Sequence, residues 1–212
     1  MNDITLFDFW RSSASYRCRI ALGLAELDYT SVPVDLTIAE HKTPEHMARN
    51  PQGFVPVLDI DGVRLTQSLA ILEYLDTTRE LGLLPKDPAT RAKVQALAHS
   101  IAVDIHPVCN LQVAAYAVEI TGNPEQRAEW MRRFIRPGME AFEALLAGFD
   151  QTPFACGDKP KLVDVCLMPQ VYNARRWGAQ IDDLPRTMSV VTACEAHPAF
   201  QAAHPDQWQP AP

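Results

Sequence analysis

The stretch Ile4-Thr5-Leu6-Phe7-Asp8-Phe9-Trp10-Arg11-Ser12-Ser13-Ala14-Ser15-Tyr16-Arg17-Cys18-Arg19-Ile20-Ala21-Leu22 joins an apolar run to a helical repeat through a cluster of serines. Ile4, Leu6, Phe7 and Phe9 predict a strand over 4–9, and Tyr16, Ile20, Leu24 and Leu27 predict a helix over 15–26. The hydroxyls of Ser12, Ser13 and Ser15 fall among the free N–H groups of the helix start, where the dipole favours negative charge. Two readings stand there. One serine caps the helix, or a hydroxyl holds a bound thiol in its thiolate form.

Outward from this turn, residues 29–35 predict a second strand and residues 37–50 a polar loop with a short helix. Asp61-Gly62 between 57–60 and 63–66 signals a two-residue hairpin, and 68–75 reads as a helix. The order β-α-β-α-β-β-α gives a parallel start and an antiparallel edge, hence a mixed sheet. Within it, Phe54-Val55-Pro56-Val57 brings a proline to a strand start. A cis Val55–Pro56 bond would turn the Val55 backbone groups toward an extended peptide. A trans bond would make Pro56 an ordinary edge residue. Thr66-Gln67-Ser68 supplies either a carboxylate site, from Gln67, Ser68 and the N–H groups of a helix start, or a simple serine cap.

From about residue 88 the pattern is helical: 89–120 with a kink expected at Pro107, 124–149 with Pro137 inside it, 162–177, and shorter helices after Pro185 and Pro198. The kink follows from a clash of the Pro107 ring with the Val103 carbonyl. The tail from His204 reads as loose. The chain therefore divides into an α/β domain over 1–80, a linker over 81–87 carrying Gly82 and Pro85, and an all-α domain over 88–212. The cleft between two such layers is the expected ligand site.

Composition narrows the function. The 212 residues are 47% hydrophobic and 21% charged, with a formal net charge of −7 and no dense basic run, which argues against nucleic acid or an anionic membrane as partner. No apolar run is read as long enough to span a membrane, and Met1-Asn2-Asp3 does not open a signal peptide, so a cytoplasmic location is expected. The five cysteines are scattered without a C-x-x-C pair, which predicts buried thiols rather than a disulfide framework or a metal site.

Taken in order along the chain, several segments resemble the zeta-class glutathione transferases, the family of maleylacetoacetate isomerase. The 11–22 stretch is similar to the class signature Ser-Ser-Cys-Ser-aromatic-Arg-x-Arg-Ile-Ala-Leu. Asn50-Pro51-Gln52-Gly53-Phe54-Val55-Pro56, Gln67-Ser68-Leu69-Ala70-Ile71-Leu72-Glu73-Tyr74-Leu75, Leu83-Leu84-Pro85, Cys166-Leu167-Met168-Pro169-Gln170 and Asn173-Ala174-x-Arg176 match as well. The Val-Pro and Gln-Ser elements are shared across the superfamily. The serine cluster and the Pro-Gln-x-x-Asn-Ala-x-Arg stretch are more specific to the class.

The resemblance implies a glutathione transferase fold, a thioredoxin-like domain followed by a helical one, in a homodimer with glutathione as cofactor. Glutathione would pair with the Val55 backbone before a cis Pro56, place its γ-glutamyl carboxylate at Gln67 and Ser68, and face its sulfur to Ser12, with Ser13 and Ser15 beside it. His41, by its place in the polar loop, has two readings: a contact with the glycine end of glutathione, or a solvated side chain. The implied reaction is cis–trans isomerisation of a maleyl-type diacid, maleylacetoacetate or maleylpyruvate: the thiolate adds, the former double bond rotates, and the sulfur leaves. By the resemblance Arg176 would bind the substrate's carboxylates, the other reading being a structural salt bridge. By their places in the chain Arg11, next to the serines, and His106 and Asn110, read as sharing one helix face, are further candidate contacts, with helix packing the other reading of His106. Arg17 and Arg19 read as structural. Two departures stand out: Ala14 replaces the class cysteine, and Lys161 replaces the usual Ser or Thr cap three residues before Asp164. Alternatives of other kinds are a general glutathione transferase or α-halo-acid dehalogenase, and a non-catalytic glutathione-binding protein.

Overall fold

In the computed structural model, which describes residues 4–210, the apolar run after Ile4 forms strand β1 (Thr5–Asp8). The serine cluster opens helix α1 (Ser13–Leu24), and β2 (Thr30–Pro33) returns parallel to β1. A 3-10 turn (Glu40–Lys42) and α2 (Pro44–Arg49) occupy the polar stretch. β3 (Val57–Ile60) and β4 (Val63–Thr66) make the expected hairpin, and α3 (Ser68–Arg79) runs past the expected end at residue 75. Asp61 and Gly62 both have positive φ, 52° and 77°, the conformation a two-residue type I′ turn requires. Asp61 also accepts from the Tyr74 hydroxyl and from Arg79, at 2.7 Å each, which fastens α3 to the hairpin. The sheet order is β2-β1-β3-β4, with β3 antiparallel to both of its neighbours.

Residues 82–196 form a second unit built of helices. These are α4 (Pro88–His99), a π-helical turn (Ser100–Ile105), α5 (His106–Val108), α6 (Leu111–Thr121), α7 (Gln126–Leu146), α8 (Leu162–Trp177) and α9 (Pro185–Ala196). The single kinked helix expected over 89–120 is instead broken. Upstream of Pro107 the turn widens, and the His106 N–H reaches back five residues to the Ile101 carbonyl. The chain then leaves the helix at Cys109, and Asn110 caps α6 by accepting the Gln112 N–H at 3.1 Å. Ile105 fits against α7 because residue 138 is glycine, where a Cβ would lie 2.5 Å from the Ile105 side chain.

By length and composition the stretch Pro88–Thr121 does meet the requirement for a membrane span, contrary to the reading of the sequence. It is not one helix, however, and Val94, Leu97, Ala98, Ile101 and Ile105 are buried in the packing of this stretch with α7 and α8.

Asp164 organises the start of α8. Fully buried, it accepts the Lys161 N–H at 2.7 Å and the Ala155 N–H at 2.9 Å. Burial pushes its carboxyl up to about 6, against the N–H donors that pull it down. Lys161 contributes no capping oxygen. Its ammonium instead donates to the Gly82 carbonyl at 2.8 Å.

The C-terminal segment departs from expectation. Residues 197–210 do not join the helical unit but group with residues 4–81. α10 (Pro198–Ala203) packs on α1, where Gly23 leaves room for Ala199. A 3-10 turn (Pro205–Gln207) follows, and the Trp208 indole donates to the Ala202 carbonyl at 2.9 Å and stacks on Tyr29 with ring centres 5.8 Å apart. Over residues 204–210 the tail read as loose is therefore fastened by an aromatic pair and a hydrogen bond, and residues 211–212 lie outside the described residues.

Replacing Asp164 by Ala should leave the buried Ala155 N–H and the half-buried Lys161 N–H without acceptors and cost about 2–4 kcal/mol in urea unfolding. Asp164→Asn, which keeps one acceptor oxygen, should lose less.

Candidate active site

The strand register brings the three chemistry-bearing turns together. Phe7 on β1 pairs with Val57 on β3, and Val57 pairs with Thr66 on β4. The C-terminal ends of β1 and β4 and the N-terminal end of β3 thus share one end of the sheet. The turn carrying Ser12, the approach through Val55 and Pro56, and the turn carrying Gln67 and Ser68 all leave from there.

Ser12 is the N-cap of α1, with φ −66° and ψ 121°, and its Oγ accepts the Ser15 N–H at 3.2 Å. The capping reading is therefore correct, and it does not exclude the other. A hydroxyl accepts and donates at once. With the Ser15 N–H on its lone pair, Ser12 keeps its own hydrogen for an anion. The cap fixes the side chain at the positive end of a helix. Ser15 is fully buried and its Oγ has no hydrogen-bond partner. Ser13 and Ala14 are half-buried. The turn itself is held by a hydrogen bond from the Ser12 N–H to the Phe9 carbonyl at 2.9 Å.

The Val55–Pro56 bond is cis. Strand pairing begins only at Val57, so the Val55 N–H and C=O lie outside the ladder. Two side chains not foreseen from sequence steady this approach. His46 Nε2 and Asn50 Nδ2 each lie 3.0 Å from the Phe54 carbonyl oxygen, and Asn50 Oδ1 accepts the Gln52 N–H at 3.1 Å. The Asn-Pro-Gln-Gly turn hinted at Asn50. Nothing local marks His46, which is 1% exposed.

At the third turn Gln67, not Ser68, holds the N-cap position of α3. Its φ of 66° is unusual for a residue with a side chain, and such outliers gather at functional sites. The Gln67 amide donates to Gln52 at 2.8 Å. Ser68 is the first helical residue, and its Oγ accepts from Arg17 Nε at 3.0 Å. Arg17 is therefore structural, as expected, and it braces α1 against α3. The free N–H groups of α3 and the adjoining amide and hydroxyl suit a carboxylate.

Arg11 lies with its guanidinium carbon 4.7 Å from the centre of the Trp10 ring, and its Nε is buried without a partner. His41 sits in the 3-10 turn beside Gly53, its carbonyl oxygen 3.0 Å from where a Gly53 Cβ would stand. Burial and the neighbouring Lys42 and His46 lower its pKa from the usual histidine value. The remaining candidates belong to the helical unit. Arg176 is exposed on α8 with its guanidinium 4.6 Å from the Trp177 ring. His106 and Asn110 do not share a helix face: the chain leaves the helix between them, and Asn110 spends its side-chain oxygen on the cap of α6. Among the described residues no cluster of His, Cys, Asp and Glu suits a metal ion, and none of the five cysteines is in a disulfide.

One sheet end thus offers an ordered hydroxyl, unpaired backbone groups for an extended chain, and a helix start suited to a carboxylate. A peptide that carries a thiol and a terminal carboxylate has groups complementary to all three. Comparison with known proteins identifies the family. The family "Glutathione S-transferase, N-terminal domain" matches residues 2–77. The maleylacetoacetate isomerase of Rhizobium meliloti is 54% identical over 211 residues, 99% of each chain. A holo structure of maleyl pyruvate isomerase, a bacterial zeta-class glutathione transferase, is 38% identical with a TM-score of 0.93, over 97% of this chain and 98% of that one. A maleylacetoacetate isomerase from Anaeromyxobacter dehalogenans, with dicarboxyethyl glutathione and citrate bound in its active site, is 39% identical with a TM-score of 0.86, over 99% of this chain and 94% of that one. The chain belongs to the zeta class of glutathione transferases, the family of the maleylacetoacetate isomerases.

Proposed function

We propose that this chain is a glutathione-dependent cis–trans isomerase of a maleyl-type diacid, acting on maleylacetoacetate or maleylpyruvate. The observation that carries the reading is Ser12: capped onto the Ser15 N–H, it keeps a donor hydrogen at a helix start, on the sheet end that also offers Val55, Gln67 and Ser68. The names of the relatives support the substrate class. So does the dicarboxyethyl glutathione in the Anaeromyxobacter enzyme, whose two carboxylates are those a maleyl group would bring.

Glutathione, when bound, supplies a sulfur nucleophile that adds reversibly to a carbon–carbon double bond and so permits rotation. The protein's work is to bind, orient and stabilise charge. Ser12 donates to the sulfur, with Ser13 and Ser15 completing the helix start around it. The Val55 backbone orients the peptide, Gln67 and Ser68 hold its carboxylate at α3, and His41 serves the opposite end. Arg176 takes the diacid's carboxylates, with Arg11, His106 and the amide of Asn110 as further donors. Ala14 leaves the nucleophile's role wholly to the cofactor. The same reading carries a homodimer in the cytoplasm, a compartment in which cysteines outside disulfides stay reduced.

A glutathione-dependent isomerisation assay with maleylacetoacetate and maleylpyruvate should show turnover of at least one. Turnover of neither, with brisk release of chloride from a chlorinated acid, would overturn the isomerase reading. Ser12→Ala should abolish the ultraviolet thiolate band of bound glutathione near neutral pH and lower kcat/KM about 100-fold. Its loss of stability should be only about 1 kcal/mol, the value of a cap. Arg176→Leu should raise KM for the diacid about 10- to 100-fold while leaving glutathione affinity, read by calorimetry, unchanged.

A further inference from the structure

We propose that the C-terminal segment 197–210 is part of the frame of the glutathione site, and that Arg19 is the positioning residue that ties it to the turn bearing Ser12. The proposal rests on the role given to Ser12 above and adds what holds that serine in place.

The Arg19 side chain is sealed from solvent. Its Nη1 donates to Asp8 Oδ2 at 2.6 Å, its Nη2 to the Trp10 carbonyl at 2.9 Å and its Nε to the Ala203 carbonyl at 3.1 Å. The guanidinium carbon lies 5.5 Å from the ring centres of both Tyr16 and Trp208. Asp8 is itself oriented by the Ser31 hydroxyl at 3.0 Å. One rigid, planar group therefore bonds at the same time to a β1 carboxylate, to the C-terminal segment, and to the backbone two residues before Ser12.

Each contact restrains a different motion. The Asp8 pair fixes one corner of the fork but leaves it free to swing about that corner. The Ala203 carbonyl and the flat Trp208 ring remove that swing, and so keep Nη2 aimed at the Trp10 carbonyl. Trp208 acts twice, because its indole also holds the Ala202 carbonyl, one residue before Ala203. If the segment loosens, the fork turns and the Trp10 carbonyl loses its donor. The Phe9–Ser12 turn then keeps only its own internal hydrogen bond. A hydroxyl that must meet a sulfur does not tolerate such drift, since productive geometry extends over only about 0.5 Å.

The test compares Trp208→Ala, which removes both the ring face and the indole N–H, with Trp208→Phe, which keeps the face. Glutathione affinity is measured by calorimetry, and the thiol of bound glutathione is titrated by its ultraviolet thiolate band. Trp208→Ala should move the midpoint of that titration up by about one pH unit and weaken glutathione binding about tenfold, and Trp208→Phe should recover most of both. Trp208→Leu, which keeps bulk without a flat ring, carries the same expectation should the alanine variant fail to fold. A lower Tm with an unmoved midpoint and unchanged affinity would overturn this proposal alone. A wild-type protein that binds glutathione without any thiolate band would instead overturn the role of Ser12, and this proposal with it.

Discussion

The first unit is organised around one buried charge, the Arg19 guanidinium. A cation without solvent is tolerable only if it is paired and its hydrogens are used, and leaving either half of such a pair alone costs about 3–5 kcal/mol. Arg19 meets the demand by drawing in Asp8 from β1, the Trp10 carbonyl from the turn and the Ala203 carbonyl from α10. These are parts of the chain that hydrophobic packing alone would bring near one another but not align. The planar fork sets their directions as well as their distances.

That alignment matters because the groups assigned to the proposed chemistry at the sheet end already have structural tasks. Ser12 caps α1 and keeps its own hydrogen. Gln67 takes a positive φ and opens α3. Val55 stands just outside the ladder that Val57 begins. In each case the structural task orients the functional group at no extra expense in ordered side chains. Their supports reach further away: His46 and Asn50 hold the Phe54 carbonyl, and Arg17 braces Ser68.

The helical unit shows the same logic where the sequence departs from its class. Lys161 offers no capping oxygen, and Asp164 carries the start of α8 by accepting two N–H groups. Around Pro107 the helix widens to a π turn and then ends, because a proline can neither donate nor tolerate the carbonyl four residues earlier. The break makes Asn110 a cap and separates it from His106, which sequence spacing alone had placed on the same face.

Much of this was legible in the sequence because it is local. Alternation and an Asp-Gly pair set the hairpin at its observed residues, prolines and glycines bound the helices, and the order of the motifs along the chain points to the family. The serines, Val55, Gln67 and Ser68 could be named because the residue type and its place at an element's start define the chemistry. What the tertiary structure decided was everything that depends on partners distant in the chain. No local pattern shows that Arg19 meets Ala203 across 184 residues, that Trp208 stacks on Tyr29, or that a tail rich in proline and polar residues is held fast. A sequence states which groups are available to bond. Only folding, by excluding water from some of them, determines which must find each other.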